Sequence, residues 1–291
     1  MSTSSVLYDA PGPKARRLSR IVSVVAAVVI GGAVIWLLWA LGQPRVTVNG
    51  TTLTGLWSPE RWDIFGDPQV WRRLILEGLV MGTLRAAALA AVLSLILGVV
   101  LCFARTAPQR WISVPAAVIL EFFRGMPVLL MMLFILLALG TGGYTAVVLA
   151  LTVYNGAIIG EALRAGLSAL PRGQREAGLS LGLTSLQTRI TVEFPQALRQ
   201  MLPIIVAQLV VLLKDTSLGY VVSYPEILRV SGYMKDFYGS TRYSFPIFIV
   251  VLLTYLAVNF SLSAFARWLA RRSGPRAGAM AVAAPTPTEQ P

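Results

Sequence analysis

Residues 170–195 read LPRGQREAGLSLGLTSLQTRITVEFP, and this pattern predicts two short helices joined by a bend. Leu170-Pro171-Arg172-Gly173 is a helix-breaking cluster, after which about two helical turns fit before Gly182. Gly182 ends the first helix, since glycine enters the left-handed backbone region without steric cost. Thr184-Ser185-Leu186-Gln187 has the form of a capping box that begins a second helix, and Phe194-Pro195 is predicted to end it. We call residues 168–198 the elbow.

The rest of the chain is too apolar for a soluble protein of its length. Of its 291 residues, 56% are hydrophobic and 13% are charged, a composition typical of proteins with several membrane spans. A spanning helix needs about 20 mostly apolar residues. We therefore predict an all-α integral membrane fold with about six transmembrane helices, at residues 21–41, 77–104, 112–139, 144–167, 199–222 and 245–270.

The predicted spans and the charges between them indicate how the chain is oriented in the membrane and how it divides into segments. Lys and Arg are more frequent on the side shared by both termini, fifteen against seven, which predicts cytosolic termini. The outer loop contains Asn49-Gly50 between alternating residues, a pattern that predicts a hairpin with a two-residue turn. The predicted parts are a flexible tail at 1–20, a first span at 21–41, an outer loop at 42–73, a membrane domain at 74–270 that contains the elbow, and a flexible tail at 271–291.

The composition excludes several classes of function. The chain has no histidine and one cysteine, Cys102, so histidine-based catalysis, histidine metal sites and disulfide frameworks are excluded. It contains no phosphate-binding Gly-x-x-x-x-Gly-Lys-Ser/Thr loop, so it is not itself an ATPase. The net charge of +12 comes from basic residues dispersed at the ends of apolar runs. That distribution indicates membrane topology, and we predict no nucleic-acid partner.

The elbow carries a recognisable motif. Glu176-Ala177-Gly178 is followed by Gly182 and by Val192-Glu193-Phe194-Pro195, at the spacing of the EAA loop. The sequence thus resembles the permease subunits of ABC importers, with Gly178, Val192 and Phe194 in place of the usual Ala, Ile and Leu. Gly178 is expected to loosen the first helix by about 1 kcal/mol. The resemblance implies that Glu176, Ala177, Gly178 and Gly182 dock on a separate ATPase.

Further motifs are similar to those of the polar amino acid permeases, over residues 74–270. They are Phe123–Pro127, Glu161–Gly166, Gly173–Ala177, Pro195–Arg199 and Leu213–Leu218. Tyr154-Asn155-Gly156 is most similar to the glutamate permeases. Such proteins usually have five spans, so the span at 21–41 is an addition.

The resemblance implies the permease subunit of an ATP-driven importer of polar amino acids, with glutamate first and glutamine or aspartate next. It implies a bacterial inner membrane and no enzymatic activity in this chain. The implied partners are an ATPase dimer that binds ATP and Mg²⁺, a second permease subunit, either a copy or a paralogue, and an extracytoplasmic amino-acid-binding protein.

Ionisable residues within spans are costly, so each is expected to face protein or a water-filled path. Lys214 and Asp215 lie well inside the fifth span beside Thr216 and Ser217, and could contact the two charges of an amino acid or form a structural ion-pair network or gate. Counting back from the outer ends places two further candidates, Glu161 and Arg124, near the inner boundary. There they could also pair with Arg164 and Glu121 at i, i+3 spacing.

Two other functions are considered. An ion-gradient-driven secondary amino acid transporter would show two related halves with broken helices, and the sequence contains no internal repeat. A membrane enzyme could use Lys214 and Ser217 as a Ser–Lys dyad, but Asp215 would keep the lysine charged. Neither alternative explains the elbow.

Overall fold

A computed structural model describes residues 12–46, 50 and 52–273, and in this part of the chain the structure is dominated by helices. Within the described residues, five helices are each long and apolar enough to cross a membrane, and a bent pair, Arg110–Gly125 with Val128–Ala138, can form a broken sixth span. The helices are α1 (Pro13–Leu41), α2 (Pro68–Arg105), α3 (Arg110–Gly125), α4 (Val128–Ala138), α5 (Gly143–Ser168), α6 (Arg172–Ser180), α7 (Ser185–Tyr220), α8 (Ile227–Tyr238) and α9 (Ser240–Ser273).

The chain divides into two compact units. The smaller one comprises described residues up to Gly66 together with 239–246, and the larger one comprises 67–238 and 247–273. In the smaller unit, none of the described residues of α1 is buried. The indole N–H of Trp57 donates to Leu38 O at 2.8 Å, and its ring meets Phe245 edge-on at 5.4 Å. Arg242 forms an ion pair with Asp63 at 2.5 Å.

Two expectations for the smaller unit need correction. Helix α1 begins at Pro13, inside the predicted flexible tail 1–20, because proline suits a first helical turn and 14–18 contains good helix formers. The hairpin forms from Arg45–Val46 and Thr52–Leu53, but Val46 pairs with Thr52. A two-residue turn at Asn49-Gly50 would pair Val46 with Leu53, so the predicted register is wrong by one residue. Residues 47–49 and 51 lie outside the described residues.

The core of the larger unit is the packing of α2 against α5. A Cβ added at Gly98 would lie 2.7 Å from Ile159 Cγ2, and one at Gly160 would lie 3.0 Å from Gly98 O. The absence of side chains at these positions lets the two backbones approach, as is common between membrane helices. Asn155 on α5 is fully buried and accepts a hydrogen bond from Gln208 Nε2 at 2.8 Å, which connects α5 to α7.

The predicted span at 112–139 is a broken one, because the chain bends by 102° between α3 and α4. Met126, the residue before Pro127, has extended backbone angles (φ −88°, ψ 129°). Proline disfavours helical geometry in the residue before it, so the helix ends at Gly125 and restarts at Val128. Pro127 therefore separates α3 from α4.

The expectation that Phe194-Pro195 ends the second elbow helix is also wrong. Helix α7 runs without interruption through this dipeptide to Tyr220. Residues Arg189–Glu193 form a π-helical turn in which the Phe194 N–H bonds to Arg189 O. This five-residue repeat shifts the hydrogen-bond register just before Pro195, so the helix accommodates the missing N–H without ending.

Candidate docking elbow and membrane cavity

The elbow has the local structure that its sequence predicts. Helix α6 ends at Ser180, and Gly182 adopts φ +80°, in the left-handed region. The side chain of Thr184 accepts from Gln187 N at 3.3 Å, while Gln187 Oε1 accepts from Thr184 N at 2.9 Å. This reciprocal capping box begins α7 at Ser185. The bend and the second helix start are therefore set by side chains within the elbow itself.

Gly178 is the point of closest approach between the two arms of the elbow. It is buried, and a Cβ added to it would lie 2.4 Å from Thr188 Cγ2 and 2.9 Å from Thr188 Oγ1. Thr188 is itself fully buried, and its hydroxyl has no hydrogen-bond partner among the described residues. Gly178 therefore does more than loosen α6, because it makes room for Thr188.

Polar contacts attach the elbow to the membrane domain. Arg189 Nη1 donates to Thr106 O, just beyond the end of α2, and its Nε lies 3.9 Å from Glu193 Oε2. Gln196 Nε2 donates to Gln174 Oε1 at 3.1 Å, which joins α7 back to α6. The Arg189–Thr106 contact thus joins the elbow to the end of α2, and the Gln196–Gln174 contact joins the two arms of the elbow to each other.

The solvent-exposed surface of the elbow combines a carboxylate with apolar side chains. Glu176 and Ala177 are exposed on α6. Leu181 is 81% exposed at the bend, and Leu186 is 60% exposed on the next arm. Exposed leucines grouped around a rigid bend are typical of a protein-binding surface.

The ionisable pairs predicted at i, i+3 spacing are present. Arg164 makes two hydrogen bonds to the Glu161 carboxylate, at 2.6 and 2.9 Å, and Arg124 Nη1 lies 3.4 Å from Glu121 Oε1. Arg124 lies in the last turn of α3, just before the bend at Pro127. Its depth in the membrane stays a prediction.

Lys214, Asp215 and Ser217 line one cavity of about 640 Å³ between α7 and α9. Here α7 changes from α-helix to a 3₁₀ turn that begins at Thr216. Thr216 is fully buried, and its hydroxyl donates to Leu213 O at 2.6 Å. Thr216 therefore shapes the turn and does not line the cavity, unlike the other three candidates. Among the described residues, neither Lys214 nor Asp215 forms an ion pair with a residue of another helix.

Comparison with known proteins identifies the family. A family model described as "Binding-protein-dependent transport system inner membrane component" matches residues 90–274. The chain belongs to this family. The glutamate transport system permease protein GluD of Corynebacterium glutamicum is 38% identical over 220 residues, 73% of this chain and 79% of that protein. The probable glutamine ABC transporter permease protein GlnP of Bacillus subtilis is 38% identical over 192 residues, 64% of this chain and 88% of that protein.

Solved structures agree with this assignment. An amino acid ABC transporter crystallised with histidines matches with a TM-score of 0.62 and 28% identity, over 69% of this chain and 95% of that one. The MetNI methionine ABC transporter in an inward-facing conformation has the same fold, with a TM-score of 0.60 and 21% identity. The predicted all-α importer permease is confirmed, and the secondary-transporter alternative is not supported.

The cavity between α7 and α9 also contains polar groups that the sequence analysis missed. Tyr255 and Asn259 on α9 line it opposite Lys214 and Asp215. Asn259 Nδ2 donates to Tyr255 O at 2.8 Å, and its Oδ1 is buried without a hydrogen-bond partner among the described residues. The available signal was the i, i+4 spacing of two polar side chains within an otherwise apolar span. The cavity thus offers a cation, an anion and neutral polar groups within a largely apolar wall.

Proposed function

We propose that this permease imports amino acids with acidic or amide side chains, glutamate first and glutamine or aspartate next. The observation that carries this proposal is the cavity lined by both Lys214 and Asp215. In the part of the chain that the structure describes, neither has an ion-pair partner on another helix. An amino acid zwitterion presents a carboxylate and an ammonium group, which these two side chains complement. The names of the relatives from C. glutamicum and B. subtilis, glutamate and glutamine permeases, support this substrate class.

In this proposal each cavity group has a role. Lys214 binds the α-carboxylate, Asp215 binds the α-ammonium, and Ser217 completes the polar rim. Asn259 offers an amide oxygen without a partner, which could bind the substrate ammonium or an amide N–H. Lys214 is exposed and Asp215 is half-buried, so both groups are accessible to a zwitterion that enters the cavity. Glu161 and Arg124 have ion-pair partners on their own helices, so we assign them to the walls of the path.

The driving force is proposed to come from a partner ATPase. Glu176, Ala177, Gly178 and Gly182 form the bend that docks on it, with Leu181 as its apolar contact. ATP and Mg²⁺ are bound by that partner, on the cytosolic side together with both termini of the permease. A second permease subunit, a copy or a paralogue, covers the exposed Arg124–Glu121 pair, and an extracytoplasmic binding protein delivers the substrate.

The first test is reconstitution of the complex. The permease is purified with a C-terminal tag, its co-purifying subunits are identified by mass spectrometry, and the complex is assayed for glutamate uptake in proteoliposomes. We expect an ATPase to co-purify. Purification of the permease without an ATPase would contradict the docking role of the elbow.

The cavity is tested separately by binding. Lys214→Met and Asp215→Asn are each expected to raise the Kd for glutamate by about tenfold or more, since each removes one hydrogen bond to a charged group. Lys235→Met removes an equal charge from α8, outside the cavity lining, and serves as the control. Unchanged affinity in both cavity variants would refute the assignment.

A further inference from the structure

A second cavity, of about 770 Å³, opens at the end of the membrane domain opposite the elbow. Its position follows from α2, whose inner end at Arg105 leads into the elbow contact at Thr106. Arg85 lies 20 residues before Arg105, which corresponds to about 30 Å of helix, the thickness of the hydrocarbon layer. Arg85 therefore lies at the outer membrane boundary, and the cavity extends outward from it toward Arg73. We call it the outer cavity.

The lining of the outer cavity has a net positive charge, from two arginines and one glutamate. Its wall on α2 includes Arg73, Glu77, Met81 and Arg85, spaced four residues apart. The Glu77 carboxylate lies 4.0 Å from Nε of Arg72, which is outside the lining. In the described part of the chain, neither Arg73 nor Arg85 has a carboxylate within ion-pair distance. Their guanidinium groups lie instead over aromatic rings, Arg85 over Tyr144 at 5.1 Å and Arg73 over Phe237 at 5.4 Å. Contact through the ring face leaves guanidinium N–H donors free for an anion.

The opposite wall is held rigidly. Tyr224 donates its hydroxyl hydrogen to Gly82 O at 2.8 Å, and its ring lies 5.6 Å from that of Tyr144. A Cβ at Gly82 would lie 2.5 Å from Pro225 O, so α2 and this loop are in direct backbone contact. Ser223, also in the lining, has φ +59°, and such conformations concentrate where ligands are held. The volume lies within the range of small-molecule sites, about 300–1,000 Å³.

We propose that the outer cavity is a receiving site for amino acids that carry a second carboxylate, with Arg85 as the carboxylate-binding group beside Tyr144. The proposal rests on the import of polar amino acids and adds selection by charge before the substrate reaches Lys214. An acidic amino acid carries a net negative charge and is attracted by two unpaired guanidinium groups. The corresponding amide is neutral overall and is held less tightly.

The experiment measures protection of a cysteine in the outer cavity of the full complex. Met81 lines the cavity and is 54% exposed, so Met81→Cys places a thiol there. The native Cys102 is fully buried, so this chain contributes no accessible thiol of its own among the described residues. The parent complex, labelled in parallel, gives the background from the other subunits. The rate of reaction with a membrane-impermeant maleimide is measured against increasing glutamate or glutamine. We expect glutamate to slow labelling at lower concentration than glutamine.

Variants of the arginines then identify the group responsible. Arg85→Gln is expected to raise the half-protecting glutamate concentration about tenfold, the usual effect of losing a charged hydrogen bond, whereas Arg85→Lys, which keeps the charge, should have a smaller effect. Lys235→Gln removes one positive charge from α8, lies outside the lining, and should change nothing. Equal protection by glutamate and glutamine, or an unchanged Arg85→Gln variant, would overturn the proposal.

Labelling does not depend on transport, so the two proposals fail separately. Glutamate uptake without any protection of Met81→Cys would refute the receiving site and leave the import proposal intact. Protection that depends on Arg85, in a complex that takes up no acidic or amide amino acid, would refute the import proposal and support anion binding in the outer cavity.

Discussion

The contact between Gly178 and Thr188 allows the elbow to be tested with a double-mutant cycle. Gly178→Ala adds a Cβ that would lie 2.4 Å from Thr188 Cγ2. Alanine favours the helix by about 1 kcal/mol, while overpacking of this kind costs roughly 1–3 kcal/mol. We therefore expect a net loss of about 1 kcal/mol in the free energy of unfolding. The arms should also separate, so uptake per ATP hydrolysed should fall.

Thr188→Ala should relieve this clash. It removes the methyl group, whose burial is worth about 0.8 kcal/mol, and also a buried hydroxyl without a partner, which is unfavourable by roughly 1–3 kcal/mol. The single change is therefore near neutral or slightly stabilising. In the double variant only Thr188 Cβ remains near the new methyl group, at 3.2 Å. With the clash removed, Gly178→Ala should stabilise the protein by about 1 kcal/mol through helix propensity, in place of its net loss of about 1 kcal/mol. The coupling energy between the two changes is therefore about 2 kcal/mol.

The assay is the thermal midpoint of the purified complex, measured together with glutamate uptake per ATP hydrolysed. Gly173→Ala is the matched control, because it lies on the same helix and its added Cβ meets no atom within 4 Å. It should show only the gain in helix propensity. If Gly178→Ala behaves like Gly173→Ala, or if Thr188→Ala does not rescue it, the close contact of the two arms is refuted.

Three further predictions concern Glu226, Gly182 and Arg189. Burial raises the pKa of Glu226 from 4.5 to about 7, although hydrogen bonds from two backbone N–H groups act in the opposite direction. Between these two pH values the folded protein keeps a proton on Glu226 that the unfolded chain releases. The free energy of unfolding should therefore fall by up to about 3 kcal/mol as the pH rises from about 4.5 to 7. Glu226→Gln should remove this slope in thermal midpoints, and a flat wild-type profile would contradict the reasoning. Gly182→Ala places a methyl group in open space but on a residue with φ +80°, which adds about 1–2 kcal/mol of backbone strain. Uptake per ATP hydrolysed should therefore fall, and it should fall less in Gly182→Asn, because asparagine tolerates this backbone region better. Equal uptake in the two variants would contradict the role of the left-handed bend at Gly182. Arg189→Ala removes the cation beside Glu193, whose side chain is 14% exposed, and should lower the thermal midpoint. Adding Glu193→Gln to the same chain removes the uncompensated charge and should restore part of the midpoint. If it restores nothing, the loss comes only from the broken contact between Arg189 and Thr106.

The sequence predicted those features that depend on neighbouring residues. The capping box at Thr184, the bend at Gly182 and the effect of Pro127 each act within a few residues, so their local signals are sufficient. Continuation of α7 through Pro195 was not predictable, because it depends on a π turn that competes with the usual effect of proline. The span at 112–139 shows the converse, since its composition gives the apolar length but not the 102° bend.

The candidate sites divide in the same way. Lys214, Asp215 and Ser217 were found because charges in a span are unusual in themselves. Asn259 belongs to the same cavity but lies in another span, and only packing brings it there. Arg85 was missed for a related reason, since the cavity it lines is assembled from four separate segments of the chain. The role of Gly178 likewise depends on Thr188, ten residues away on the other arm.

The bend between α3 and α4 has a consequence for the surrounding lipid. The 11 residues of α4 provide about 16 Å of apolar length, roughly half of an ordinary hydrocarbon layer. A sector of the subunit that presents α4 alone to lipid leaves about half of that layer unmatched, and each ångström of mismatch costs a fraction of a kcal/mol. We therefore expect an uneven lipid annulus around this permease. Bilayers of shorter acyl chains should favour the isolated subunit, and thicker ones should favour its association with a second subunit at this sector.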